Sequence, residues 1–85
     1  MFSLGQIAYF DGNYYEAILW FTRAAEKGHY RSDFWIGKLH WRGQGVLQDR
    51  KLATKYFARA ATDKLPEAQR TLRYLGFVAQ RRSLQ

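Results

Sequence analysis

The chain contains no cysteine, which excludes a disulfide framework and any thiolate metal site. Only two histidines occur, His29 and His40, and neither has a carboxylate at metal-ligand spacing, so no metal and no cofactor are expected. No stretch approaches the roughly 18 apolar residues of a membrane-spanning helix. The start, MFSLGQIAYFDG, lacks the basic region and long apolar run of a secretory leader. The expectation is a cytoplasmic protein, or a segment of a longer chain. A G-x-S-x-G nucleophile turn, a phosphate loop and a G-x-G-x-x-G fingerprint are all missing; Gly43-Gln44-Gly45 lacks the third glycine and follows no strand. Asp11, Glu16, Glu26, Asp33, Asp49, Asp63 and Glu67 fall at caps or on solvent faces, without the pairing that acid–base hydrolysis needs. No catalytic residue is assigned, and an enzyme is not expected.

What the chain does have is apolar area. Hydrophobic residues make up 47% and aromatic ones 18% of 85 residues, enough for one domain near the lower size limit at which a core offsets chain entropy unaided. The net charge of +7 is unevenly placed. Residues 1–49 carry five basic and five acidic side chains, whereas residues 50–85 set nine Lys and Arg against Asp63 and Glu67 alone. A basic C-terminal half of this kind implies an acidic partner, whether protein, nucleic acid or anionic lipid, or else a solvated face that aids solubility.

The apolar residues recur. Ala17, Trp20, Phe21, Ala24 and Ala25 return as Ala53, Tyr56, Phe57, Ala60 and Ala61, each 36 positions later, and Ser32 and Ile36 return as Ala68 and Leu72. A fixed period on helical spacing indicates stacked helix pairs, with no single central site. Five helices are predicted. The first covers about Phe2 to Phe10, with Leu4, Ile7 and Ala8 on one face, and ends at Asp11-Gly12. Asn13, with Glu16 three residues on, forms a capping box for the second, about Tyr14 to Lys27, whose stripe is Ala17, Ile18, Phe21, Ala24 and Ala25. Gly28 suits the left-handed turn that closes it. The third spans about Ser32 to Arg42, with Ile36, Leu39 and His40 toward its neighbours and Gly37 permitting close approach.

Asp49 repeats Asn13 at the same offset and caps the fourth helix, about Arg50 to Asp63, with Leu52, Ala53, Tyr56, Phe57, Ala60 and Ala61 as its stripe. Lys64 stands where Gly28 stood, so that corner closes less tightly or is strained if left-handed. Pro66 and Glu67 signal the start of a fifth helix to about Gln80, with Leu65, Ala68, Leu72, Leu75 and Ala79 inward, and Arg81 to Gln85 are expected to fray.

The second unit, with Ile36-Gly37, Gly43-x-Gly45-Val46, Asp49, Ala53, Tyr56-Phe57 and Ala60-Ala61, resembles the Sel1-like repeat family, a branch of the tetratricopeptide-like repeats. The first unit has 12 residues from Gly5 to Ala17 where the second has 16 from Gly37 to Ala53, so it resembles an ordinary tetratricopeptide repeat with Leu4, Gly5, Ala17, Phe21 and Ala24 in the matching places. The third keeps Ala68 and Leu72 but has Arg73 where the family prefers glycine, as a capping helix would. The resemblance implies an all-α fold: a right-handed α–α superhelix of antiparallel helix pairs, about two and a half repeats in one domain over 1–85. Repeat 1 would cover about 2–28, repeat 2 about 32–63 and the capping helix about 66–80.

It also implies a scaffold or adaptor that holds a protein partner in a concave groove lined by the first helix of each pair. Carried over, the groove positions are Phe2, Gln6 and Tyr9, then Phe34, Lys38 and Trp41, then Arg70, Tyr74 and Phe77. Each trio spans i, i+4, i+7 and so shares a helical face. The same rings also read as core, or as covers for a neighbouring repeat. A clamp for a terminal carboxylate is not reproduced, because Gln6, Lys38 and Tyr74 differ across the units. The alternative function is binding of nucleic acid or another polyanion through Arg70, Arg73, Arg81 and Arg82, although these match no nucleic-acid motif. Open repeat ends add self-association as a further mode.

Overall fold

Polar turns separated by amphipathic segments give five helices in the computed structural model: α1 (Phe2–Phe10), α2 (Tyr14–Glu26), α3 (Tyr30–Arg42), α4 (Arg50–Thr62) and α5 (Pro66–Ser83). The backbone is described for residues 1–62 and 66–83, and the side chains for 1–61 and 66–76. The expected corner at Lys64, the inward placing of Leu65 and Ala79, and the last residues Leu84 and Gln85 lie outside the described residues. Each helix packs against the next in sequence, giving an elongated α–α superhelix with extents of 42 × 25 × 17 Å.

Helix starts follow local chemistry. The Asn13 side chain accepts from the Glu16 backbone N–H at 3.4 Å, and the Glu16 carboxylate accepts from the Asn13 side-chain amide at 2.9 Å. The return bond of a capping box thus ends on the side chain, because the Asn13 backbone N–H already donates to the Ala8 carbonyl at 2.8 Å. Asp49 caps α4 through the Leu52 N–H at 3.0 Å. The third helix begins two residues before the expected Ser32, since the backbone of Ser32 already bonds to the His29 carbonyl at 3.0 Å. Tyr30 and Arg31 are exposed, so an apolar pattern could not reveal this first turn. The second helix ends at Glu26, one residue short of Lys27, with Gly28 left-handed at φ +87°. The fifth continues to Ser83, past the expected Gln80, because glutamine and arginine are good helix formers and nothing there stops the helix.

Two glycine–phenylalanine contacts set the distance within each helix pair. An added Cβ at Gly5 would lie 2.5 Å from the ring of Phe21, and one at Gly37 would lie 2.7 Å from the ring of Phe57 and 3.1 Å from the Ala53 carbonyl. The absent side chain in the first helix makes room for the ring from the second. Burying each ring contributes about 2–3 kcal/mol. Ala17, Ile18, Phe21 and Ala24 of α2 are buried, as are Ala53, Phe57 and Ala60 of α4 and Ala68 of α5; Ala25, Leu52, Tyr56, Ala61, Leu72 and Leu75 are half-buried. Ile36 and Leu39 are buried, while His40 is half-buried, its ring stacked on Tyr56 at 5.7 Å.

The first helix departs from expectation. Its buried residues are Gly5 and Ala8, whereas Leu4 is 45% and Ile7 60% exposed. In the repeat alignment these two correspond to Ile36 and Leu39. That second pair is buried because α2 packs on α3, while among the described residues no helix precedes α1 to do the same.

Candidate protein-binding face

The first helices of the units, α1, α3 and α5, present one face on which two clefts meet. The cleft between α3 and α5 has a volume of about 210 Å³ and is lined by Lys38, Trp41 and Arg42 from α3, Phe57 from α4, and Thr71, Tyr74 and Leu75 from α5. The cleft between α1 and α3 measures about 300 Å³ and is lined by Phe2, Gln6, Arg31, Phe34, Trp35, Lys38 and Glu67. Lys38 borders both. Its place follows from the i, i+4, i+7 spacing of Phe34, Lys38 and Trp41 on a helix whose opposite stripe, Ile36 and Leu39, is buried.

The Lys38 ammonium sits 4.1 Å from the centroid of the Trp35 ring and 5.2 Å from that of Phe34. Ring quadrupoles attract it, which accounts for a cation kept in a partly apolar setting. Burial, and after it the charge of Arg42 one turn along, hold its pKa below the ordinary lysine value. Arg42 itself donates to the Tyr9 hydroxyl at 3.3 Å, and the Arg50 guanidinium lies over Trp41 at 4.6 Å. Among the described residues, the α3–α5 cleft therefore contains two cations and no acid, while Glu67 accompanies Arg31 and Lys38 in the other.

Of the residues expected in a groove, Phe2, Gln6, Phe34 and Lys38 line the α1–α3 cleft, and Lys38, Trp41 and Tyr74 line the α3–α5 cleft. Several of these rings also serve the core. Phe2 packs on Phe21 at 5.6 Å and on His29 at 4.5 Å, and Phe34 on Phe57 at 5.5 Å. Tyr9 lines neither cleft and lies edge-on to Trp35 at 5.0 Å. Arg70 and Arg73 are exposed on α5 away from both clefts; the side chains of Phe77, Arg81 and Arg82 lie outside the described residues. Trp35 and Arg42 are cleft residues that the sequence pattern did not single out. Arg42 stands one turn after Lys38, a step that helical spacing could have revealed, but Trp35 matches Ser3 in the first unit and gave no repeat signal.

The loop after α3 distinguishes the second unit. Gly45 adopts φ +73°, and a Cβ there would lie 2.6 Å from the backbone of Tyr14 and Tyr15, so the loop rests directly on the start of α2. The family model for the Sel1 repeat matches residues 1–29 as well as 31–64, so the first unit, expected to be an ordinary tetratricopeptide repeat, matches the same family despite its shorter loop. The chain belongs to the Sel1 repeat family. Sel1 repeats form helical solenoids, act as non-catalytic scaffolds and generally mediate protein–protein interaction. Among curated proteins and among solved structures, none matches the chain. Within the described residues of this Sel1 protein, no helix is long and apolar enough to cross a membrane, and no group of three His, Asp or Glu is placed to hold a metal ion.

Proposed function

We propose that this chain is an adaptor whose α1–α3–α5 face holds an acidic segment of a protein partner. The observation that carries the reading is the meeting of two aromatic-lined clefts at Lys38, with Arg42 beside it and, among the described residues, no acid in the α3–α5 cleft. Large rings next to a cation tend to dominate interface energetics, and losing such an anchor often costs at least about 2 kcal/mol of binding. Trp41 is the anchor, since it borders the cleft without being part of the buried core.

The test is a partner captured by affinity purification and then measured against the purified chain. Trp41→Ala with Lys38→Glu is expected to leave the fold intact and weaken binding more than about tenfold, or 1.4 kcal/mol. Normal binding by a folded double variant would move the functional surface elsewhere. A salt titration separates the polyanion alternative: phosphate binding through Arg70 and Arg73 would fall steeply and log-linearly with salt, whereas a groove with an apolar anchor keeps much of its affinity. Self-association at the first unit is favoured by the exposure of Leu4 and Ile7 at positions buried in the second. Sedimentation equilibrium showing a monomer at the highest attainable concentration would remove that mode.

A further inference from the structure

Among the described residues, the α3–α5 cleft carries two cationic side chains, Lys38 and Arg42, with no carboxylate paired to either. Among the described residues, the one ion pair joins Arg59 to Asp33 at 3.7 Å, and neither Lys38 nor Arg42 has a carboxylate within that range. Lys38 is held by rings and Arg42 by a neutral phenol. The remaining described walls are Trp41, Phe57, Tyr74 and Leu75, with Thr71, whose hydroxyl donates to the Glu67 carbonyl at 2.8 Å. At about 210 Å³ the space falls below the roughly 300 Å³ at which pockets for drug-sized molecules begin, so it suits a side chain more than a free cofactor.

We infer that this cleft is a receptor for an acidic residue and its apolar neighbour within an extended protein segment, with the carboxylate between Lys38 and Arg42 and the apolar side chain against Trp41, Phe57, Tyr74 and Leu75. The inference rests on the adaptor reading and adds the chemistry of the occupant. A carboxylate supplies the missing counter-charge to an ammonium that is already partly out of water, where the attraction is stronger than at an open surface. The lowered pKa of Lys38 agrees with that unmet demand. The occupant is an internal residue and not a chain end, because Lys38 borders both clefts and the segment has a path onward past Phe34 and Gln6. That second cleft contains Glu67 as well as Arg31, so it favours a polar, uncharged continuation and places the acid on the Arg42 side.

The experiment is an amide and indole NMR titration of the whole chain with N-acetylated octapeptides in a glycine–serine background, the first three of them C-amidated. One carries a central Glu-Leu, a second Gln-Leu, a third Glu-Ser; a fourth ends in Gln-Leu with a free carboxyl group. The Glu-Leu peptide is expected to shift the Trp41 indole and the amides of Lys38, Arg42, Tyr74 and Leu75, and to raise the Lys38 pKa on saturation. The Gln-Leu and Glu-Ser peptides are expected to bind at least tenfold more weakly. Lys38→Met, which keeps an apolar stem, is expected to lose the preference for Glu over Gln; should it fail to fold, Arg42→Gln on the exposed side serves the same purpose and is expected to reduce that preference severalfold. Equal affinity for Glu-Leu and Gln-Leu, with shifts still in the cleft, would overturn the carboxylate receptor and leave the adaptor face standing. Tighter binding of the free-carboxyl peptide at these residues would overturn the internal-residue assignment. Shifts confined to surfaces away from both clefts, or none at all, would overturn the receptor and the face together.

Discussion

Leu39→Ala and Ile7→Ala change equivalent positions of the two units, and the structure assigns them very different costs. Leu39 is wholly buried beneath α2, whereas Ile7 is 60% exposed. Truncating Leu39 removes a fully buried side chain and leaves a cavity, a loss of about 3 kcal/mol within the 2–5 kcal/mol range for such changes. At about 4–8 °C per kcal/mol for a domain this small, the thermal midpoint should fall by roughly 12–24 °C. Ile7 keeps most of its surface in water. Its truncation forfeits about 1 kcal/mol at most by area, and the better helix propensity of alanine offsets part of that, leaving about 0.5 kcal/mol. The midpoint for Ile7→Ala should fall by only about 2–4 °C.

Far-ultraviolet circular dichroism follows the helix content of both variants beside the parent. A loss for Ile7→Ala as large as that for Leu39→Ala would refute the reasoning, since it would mean that the outer face of α1 is covered in solution. A midpoint that rises with protein concentration would then identify the cover as a second copy. A loss below about 1 kcal/mol for Leu39→Ala, outside the range for buried leucines, would instead show that the register of α3 is wrong.

Phe57→Ala should cost roughly 3–5 kcal/mol by cavity formation, a large share of the stability available to a small domain, and calorimetry should show no folded transition at 37 °C, a temperature about 10–25 °C below typical midpoints. Gly37→Ala gains about 1 kcal/mol in helix propensity but forces a methyl group against the Phe57 ring and the Ala53 carbonyl, an overpacking that costs about 1–3 kcal/mol. A lowered denaturant midpoint is expected, and an unchanged or raised one would show that the two helices separate freely. Lys38 should titrate below 10.5 by NMR of its side chain. Because the folded chain releases that proton before the unfolded one does, the parent should gain stability relative to Lys38→Met as pH rises from the folded pKa toward 10.5, and a relative loss in that window would contradict the assignment.

The five helices, the caps at Asn13 and Asp49 and the close approach at Gly37 were legible in the residues, because each depends on local chemistry or on a period that repetition makes visible, whereas the rings that fill the space, Phe21 beside Gly5 and Phe57 beside Gly37, are set by the packing of the helices. Asn13 and Asp49 announce helix starts wherever they stand, and Ala53, Phe57 and Ala60 mark an inward stripe by spacing alone. Periodicity says which residues share a face but not whether anything lies against it. Leu4 and Ile7 have the same pattern as Ile36 and Leu39, yet α2 covers only the latter, and burial is decided by the neighbour. The same limit applies to the clefts. Lys38 and Trp41 could be placed together on one turn of α3, but bringing them to Tyr74 and Leu75 across a separation of more than 30 residues depends on how α5 packs on α4. Trp35 stands i, i+3 from Lys38 on α3, so its place beneath the ammonium is within helical spacing, whereas its contacts with Phe2, Tyr9 and Phe10 come from α1 and no spacing within a single helix encodes them.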